Sequence, residues 1–254
     1  MAPGERMSTI ESLLQGIRID APVRQVLVGA VYTAVVLDST PPSCGLAATL
    51  FQHSVERGAP PVPDAGRLCA RSGRELAQML RSPSWLEASI GMAALNALLE
   101  VDDSVCVDRN GGGLIQEMGA GRRVAIIGHF PFVPQVRAMA AECWVLEQRP
   151  APGDLPAERA PDVLPQADVV GVTGTTLING TFDELIKLCR SDAYVVLLGA
   201  SAPLTPLLFE HGVSAICGTR VVDVPAALAA VGEGATFRQI PGKRLLTMTR
   251  ERPR

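Results

Sequence analysis

The segment VAIIGHFPFVPQV, residues 124–136, decides how the chain is read. Val124, Ala125, Ile126 and Ile127 are apolar, three of them β-branched, and they run into Gly128. That is the pattern of the first strand of a nucleotide-binding α/β domain. A dinucleotide fold would continue as Gly-x-Gly-x-x-Gly, whereas this chain writes Gly128-His129-Phe130-Pro131. Phe130, next to His129, stands where the second glycine would let a pyrophosphate approach the backbone. The turn therefore suits the presentation of an imidazole at a strand end, and argues against an ordinary NAD enzyme.

Outward from this segment, strand candidates at 124–128, 143–147, 168–173, 194–198 and 214–217 alternate with helix candidates. Short apolar strands separated by helical segments predict a parallel sheet with crossovers. Ligands of such sheets bind at the carboxyl ends of the strands. The second strand ends in Glu147, the place of an acid that bonds a ribose hydroxyl. The third ends in TGTTLINGT, residues 173–181, with Thr173, Thr175, Thr176 and Asn179 on a backbone freed by Gly174 and Gly180. Thr181 and Glu184 are spaced as a capping box, whose helix end would favour a phosphate or carboxylate. The same side chains could instead satisfy the turn's own backbone, but their density favours a ligand loop. The fourth strand ends in GASAPLTP, residues 199–206, with Ser201 in a tight turn and Thr205-Pro206 expected to cap the next helix. No Gly-x-Ser-x-Gly elbow is present, so Ser201 is a binding candidate and not a nucleophile. His129 is the candidate for chemistry, as a general acid–base or a metal ligand; the alternative is an imidazole bonded to its own turn.

Toward the N-terminus, Ser8-Thr9-Ile10-Glu11 is spaced as a capping box for a short helix stopping near Gly16. QVLVGAVYTAVVLD, residues 25–38, predicts a bent strand or hairpin. Residues 39–63 are rich in Pro, Gly and small residues and read mostly as connection. Residues 74–80 read as helical, and a further helix is expected from Ser82-Pro83 to about Glu100. Within it, Ile90–Leu99 is apolar or glycine except at Asn96, which predicts burial on all sides. A buried amide needs partners: either nearby loop backbone or a ligand between domains. Asn110-Gly111-Gly112-Gly113 reads as a boundary loop, and the crossover after Glu147, with its five prolines, as mostly loop.

The 254 residues are 47% hydrophobic and 19% charged, with a net charge of −3. Such a chain buries a core, and without a basic run nucleic-acid binding is not expected. No signal-peptide pattern opens the sequence, and the longest apolar stretch, VLVGAVYTAVVL, is about half of the roughly 20 residues a membrane helix needs. A cytoplasmic protein with no membrane partner is expected. Six cysteines without a Cys-x-x-Cys pair read as reduced thiols, and Cys44 as packing more readily than as a metal ligand. His53 and His211 read as structural. No HExxH, Cys/His cluster or calcium loop marks a metal site.

Taken together, VGAVYTAV, CGLAATL, SIGMAALNALL, VAIIGHFPFV, VLEQRPAPGDLP, ADVVGVTGTTLINGTFDELI and LLGASAPLTPLLFEHGV resemble, in order, the "Putative heavy-metal chelation" family over about residues 25–222. The resemblance implies an α/β chain: an enolase-N-terminal-like α+β domain, placed here at 1–112, followed by a Rossmann-like domain at 113–254. It also implies an interdomain cleft taking Thr33, Asn96, Gly128, His129, Phe130, Glu147, Asp154, Thr173, Thr175, Thr176, Asn179 and Ser201. The expected function is small-molecule binding, with an adenosine-bearing ligand such as S-adenosylmethionine, or an anionic metabolite, and His129 as the acid–base group of an enzyme. The alternative is a protein that binds a transition metal or its chelate, using His129 with Glu147, Asp154 or Cys44. A homo-oligomer stays open, as do the substrate and the reaction.

Overall fold

The computed structural model describes residues 7–52 and 60–250. His53 lies outside the described residues. The chain divides into two compact units: Met1–Val101 with Leu177–Gly180 and Thr219–Arg244, and Asp102–Thr176 with Thr181–Gly218 and Leu245–Arg254. The division thus falls after Val101, and the first unit takes back two later segments, so neither unit is one unbroken stretch.

The first unit opens with α1 (Thr9–Gln15), where the Ser8 hydroxyl accepts from the Glu11 amide and the helix stops at Gly16. The 25–38 stretch is a hairpin of β1 (Val23–Val28) and β2 (Tyr32–Leu37). β3 (Ser43–Ala48) completes an antiparallel sheet in the order β1-β2-β3. This strand corrects the expectation that residues 39–63 are mostly connection. Its small residues are what the packing requires: a Cβ on Gly45 would lie 2.1 Å from the Ala93 carbonyl oxygen. That carbonyl belongs to α3 (Trp85–Leu98), which follows α2 (Gly73–Ala77) and a 3-10 turn at Gln78–Arg81. The observed cap of α3 is Ser84, two residues after the expected start. Ile90, Met92, Ala93, Ala94 and Leu95 have no exposed surface, so α3 is buried nearly all round, as its sequence predicts.

The second unit begins with β4 (Cys106–Asp108) and α4 (Gly111–Gly119). The Asn110-Gly-Gly-Gly stretch is therefore a helix start and not a boundary loop. The Asn110 side chain accepts from the Gly113 amide at 2.9 Å, and Gly112 has no room for a side chain, since a Cβ would lie 2.6 Å from the Phe132 ring. Helix propensity alone disfavours this start; the cap and the close packing override it.

There follow β5 (Arg123–Ile127), α5 (Val133–Met139), β6 (Glu142–Glu147), a short β7 (Leu155–Pro156), α6 (Ala160–Val163), β8 (Val169–Thr173), α7 (Thr175–Ile178), α8 (Phe182–Leu188), β9 (Tyr194–Leu198) and β10 (Ala215–Val221). Two expected caps are absent: Thr181 makes no capping bond to α8, and Thr205 makes none to the 3-10 turn Pro206–His211. α9 (Val224–Gly232) lies in the first unit, where a Cβ on Gly29 would meet the Val231 carbonyl oxygen at 2.4 Å. β11 (Lys243–Thr249) ends the described chain.

The large sheet has the order β4-β11-β10-β9-β8-β5-β6-β7. β7-β6, β6-β5, β5-β8, β8-β9 and β9-β10 pair in parallel, while β11 pairs antiparallel with β4. Counted from β5, the parallel part runs 3-2-1-4-5-6, the doubly wound dinucleotide-fold order. Its core includes Ile115, Val124, Ile126, Val145, Val169 and Val196, none with exposed surface, each contributing about 1.5–3 kcal/mol by burial. The strand order reverses between β5 and β8, the place at whose carboxyl ends sheets of this order take their ligands. Gly128-His129 and Thr173-Gly174 stand at that point.

Candidate functional site

The strand ends of the second unit are stitched together by backbone. The Gly128 amide donates to the Leu146 carbonyl on β6 at 3.0 Å, and the Gly174 amide donates to the Leu198 carbonyl on β9 at 2.9 Å. Gly128 has φ +101°, and a Cβ there would press on Thr173 at 3.1 Å. A Cβ on Gly174 would lie 2.6 Å from the backbone of Ser201 and Ala202. The turns after β5, β8 and β9 thus approach one another as closely as glycine permits.

On this frame sits a chain of charged groups. Asp154, just before β7, has a fully buried side chain (0% exposed), while His129 is 47% exposed. His129 Nδ1 lies 2.7 Å from Asp154 Oδ2. Arg137, on α5, donates to Asp154 Oδ1 at 2.9 Å and to the Gly153 carbonyl at 2.8 Å. The Ala151 amide donates to Oδ2 at 3.3 Å. Burial alone would raise the Asp154 carboxyl, yet the bond and charge of His129, with the bonds from Arg137 and Ala151, hold it below the usual carboxylate range. Asp154 is therefore a carboxylate at neutral pH and can only accept. The Nδ1 of a neutral His129 must carry the proton, which leaves the lone pair on Nε2. The alternative in which His129 merely satisfies its own turn is thus replaced by an imidazole oriented by a buried acid.

Glu147 braces the same turn: its carboxylate accepts from the His129 amide at 2.7 Å and from the Gln148 amide at 3.0 Å. Thr173 Oγ1 and Thr175 Oγ1 are 3.1 Å apart, and Thr176 Oγ1 donates to the Thr173 carbonyl at 2.8 Å. Thr173 and Thr175 are half-buried, whereas Thr176 and Ser201 are buried. Phe130 stacks on Phe132 (centroids 5.1 Å, 13°) and packs against the core.

The structure therefore joins His129, Glu147 and Asp154 through direct bonds, with Gly128 bonded to Leu146 beside them, and brings Thr173, Thr175, Thr176 and Ser201 to the adjoining strand ends. Thr33, Asn96 and Asn179 belong to the first unit. There Thr33 is fully buried with its hydroxyl 2.8 Å from that of Thr49, and Asn96 Nδ2 donates to the Leu46 carbonyl on β3 at 2.8 Å. Asn179 lies in the turn between α7 and α8. Arg137 was not expected from the sequence; a lone arginine on a short surface helix carries no signal of the buried carboxylate it clamps.

Among the described residues, no group of three or more His, Cys, Asp or Glu is placed to hold a metal ion. All six cysteines are free thiols, and burial pushes Cys44 up to about 12 and Cys217 and Cys189 to about 11, against thiolate ligation. No helix among the described residues is long and apolar enough to cross a membrane.

Two family models, DUF4213 over residues 10–99 and DUF364 over 113–249, match the chain, and both are described as "Putative heavy-metal chelation". An uncharacterized protein of Methanocaldococcus jannaschii is 27% identical over 161 residues, a match covering 61% of this chain and 62% of that protein's length. A crystal structure of a DUF364-family protein of unknown function from Desulfitobacterium hafniense superposes with TM-score 0.77 at 24% identity, over 95% of this chain and 96% of the other. One from Pyrococcus horikoshii, also of unknown function, gives 0.79 at 20% identity, over 94% and 97%. These likenesses agree with the α/β fold described above. This chain belongs to the DUF364 family, "Putative heavy-metal chelation".

Proposed function

We propose that the second unit binds a small anionic metabolite at the carboxyl ends of β5, β6 and β8, and that His129 acts on it through Nε2 as a proton acceptor. One observation carries this reading: the Nδ1 of an exposed imidazole is held 2.7 Å from a fully buried carboxylate. Such backing fixes the ring's orientation and tautomer and stabilises the imidazolium that proton abstraction would create. The Thr173 and Thr175 hydroxyls share one hydrogen bond, which leaves one of their two protons to donate to an anion. Glu147 is engaged with backbone amides, so the reading does not rest on a ribose anchor; an adenosine-bearing ligand such as S-adenosylmethionine would be recognised by other groups. Six free thiols support a reducing compartment such as the cytoplasm.

The family's description names heavy metals, and the residues here do not fit an ion chelated by protein side chains alone. Both oxygens of Asp154 and both of Glu147 already accept named hydrogen bonds. His129 Nε2 is the donor atom that this cluster leaves open.

The test is native mass spectrometry of the freshly purified protein beside His129→Gln. A co-purifying organic anion in the wild type that is lost in the variant supports the reading. The same ligand at the same occupancy in both overturns it.

A further inference from the structure

We infer that Lys243, in the first unit, is a nucleophilic amine that takes a small aromatic aldehyde as an imine. The site shares no residue with the one proposed above. Of the 23 Lys and Arg residues in the chain, only Lys187 and Lys243 are lysines. An arginine keeps its charge at any physiological pH, whereas a desolvated lysine can shed a proton and become a nucleophile. The two lysines are placed differently. Lys187 is exposed in the last turn of α8, where solvent and the helix end both favour its charge. Lys243 is half-buried at the start of β11.

Its Nζ donates to the Ile240 carbonyl and lies 5.0 Å from the centre of the Phe237 ring. Tyr32 packs on that ring with centroids 5.9 Å apart and a tilt of 43°. Burial pushes the Tyr32 phenol up, so this ring brings no negative charge at neutral pH. Among the described residues no carboxylate forms an ion pair with Lys243. An ammonium held half out of water without a counter-charge is disfavoured. Burial accordingly draws the Lys243 amine below the usual lysine range, against a partial offset from the Phe237 face. The neutral amine keeps its bond to Ile240, and that bond turns the lone pair away from the carbonyl. In the reaction the lone pair forms a bond to the aldehyde carbon. Nitrogen passes its two protons to the carbonyl oxygen, which leaves as water. Phe237 and Tyr32 are both half-buried, so part of each ring stays open to pack on an aromatic body.

The full chain is incubated near pH 7 with benzaldehyde and sodium cyanoborohydride, which reduces any imine to a stable benzylamine. Peptide mass spectrometry then follows both lysines, with Lys187 as the solvated reference in the same molecule. Lys243 should be labelled at least about fivefold faster than Lys187. Equal rates, or Lys187 ahead, overturn the inference. In concentrated urea the two rates should converge, because the lead depends on the folded surroundings of Lys243. A lead that survives unfolding belongs to the local sequence and overturns the inference as well. With acetaldehyde, which has no ring to pack on Phe237 and Tyr32, the lead should shrink. An undiminished lead overturns the assignment of an aromatic aldehyde.

Discussion

The large sheet holds a carboxylate clamp at each end of β5, and the two are built for different purposes. At the amino ends, Asp168 accepts from the Arg123 amide at 3.0 Å, from its guanidinium at 3.0 and 3.2 Å, and from Arg190 at 2.7 Å. These partners keep their charge at any physiological pH, so this clamp can only hold the strand starts in register. At the carboxyl ends, Asp154 is more deeply buried and one of its two side-chain partners is an imidazole. A buried acid that orients a solvent-facing imidazole leaves the ring's far nitrogen turned to a ligand. The same side-chain type therefore serves structure at one end and chemistry at the other, and the partner decides which.

Four substitutions test this contrast, in order of expected loss of stability. Gly174→Ala should cost most, about 1–3 kcal/mol or more, because its Cβ meets the Ser201–Ala202 backbone at 2.6 Å. Chemical denaturation reads that loss, and the co-purifying anion of the proposed site should vanish with it. Asp154→Ala comes next, at about 1–3 kcal/mol for the partners it strands. It should also free the tautomer of His129, which 15N chemical shifts of the ring detect; an unchanged tautomer would break the contrast from the chemical side.

Asp168→Asn should lower stability without touching ligand binding. Its effect depends on pH, with a sign that follows from the arginines. Their hydrogen bonds hold the Asp168 carboxyl well below the usual carboxylate range. The contribution is thus fully present above the unfolded value of about 3.9 and is lost as pH falls below it. Denaturation midpoints at pH 7 and pH 3 should therefore differ more in the wild type than in Asp168→Asn. An equal difference would mean that the amino-end clamp holds nothing. His129→Gln closes the series, with a stability loss of about 0.5–1.5 kcal/mol for the bond to Asp154, and the largest loss of binding for its structural cost.

Much of this was legible along the chain. Runs such as Val-Ala-Ile-Ile ending at a glycine announced the parallel strands, and the odd histidine after Gly128 drew the eye to the turn where a buried Asp154 orients its ring. What stayed hidden depends on contacts distant in sequence. β3 looks like a connection because its small residues make room for α3, a requirement that no local pattern expresses. Gly111 and Gly112 read as a loop until Phe132 and Leu198 are seen filling the space where side chains would be. Arg137 is 17 residues from the acid it clamps. The Thr181 and Thr205 caps show the opposite error, correct spacing without the bond.

The return of Thr219–Arg244 to the first unit has a consequence for synthesis. The two family models lie one after the other along the gene, yet the hairpin of β1 and β2 receives α9 only after the intervening strands have been translated. At about 5–20 residues per second, the nascent first unit waits on the order of ten seconds with that face of its hairpin uncovered. A polypeptide halted near residue 112 is accordingly an unfinished client for chaperones, and the ribosome must complete both units nearly together.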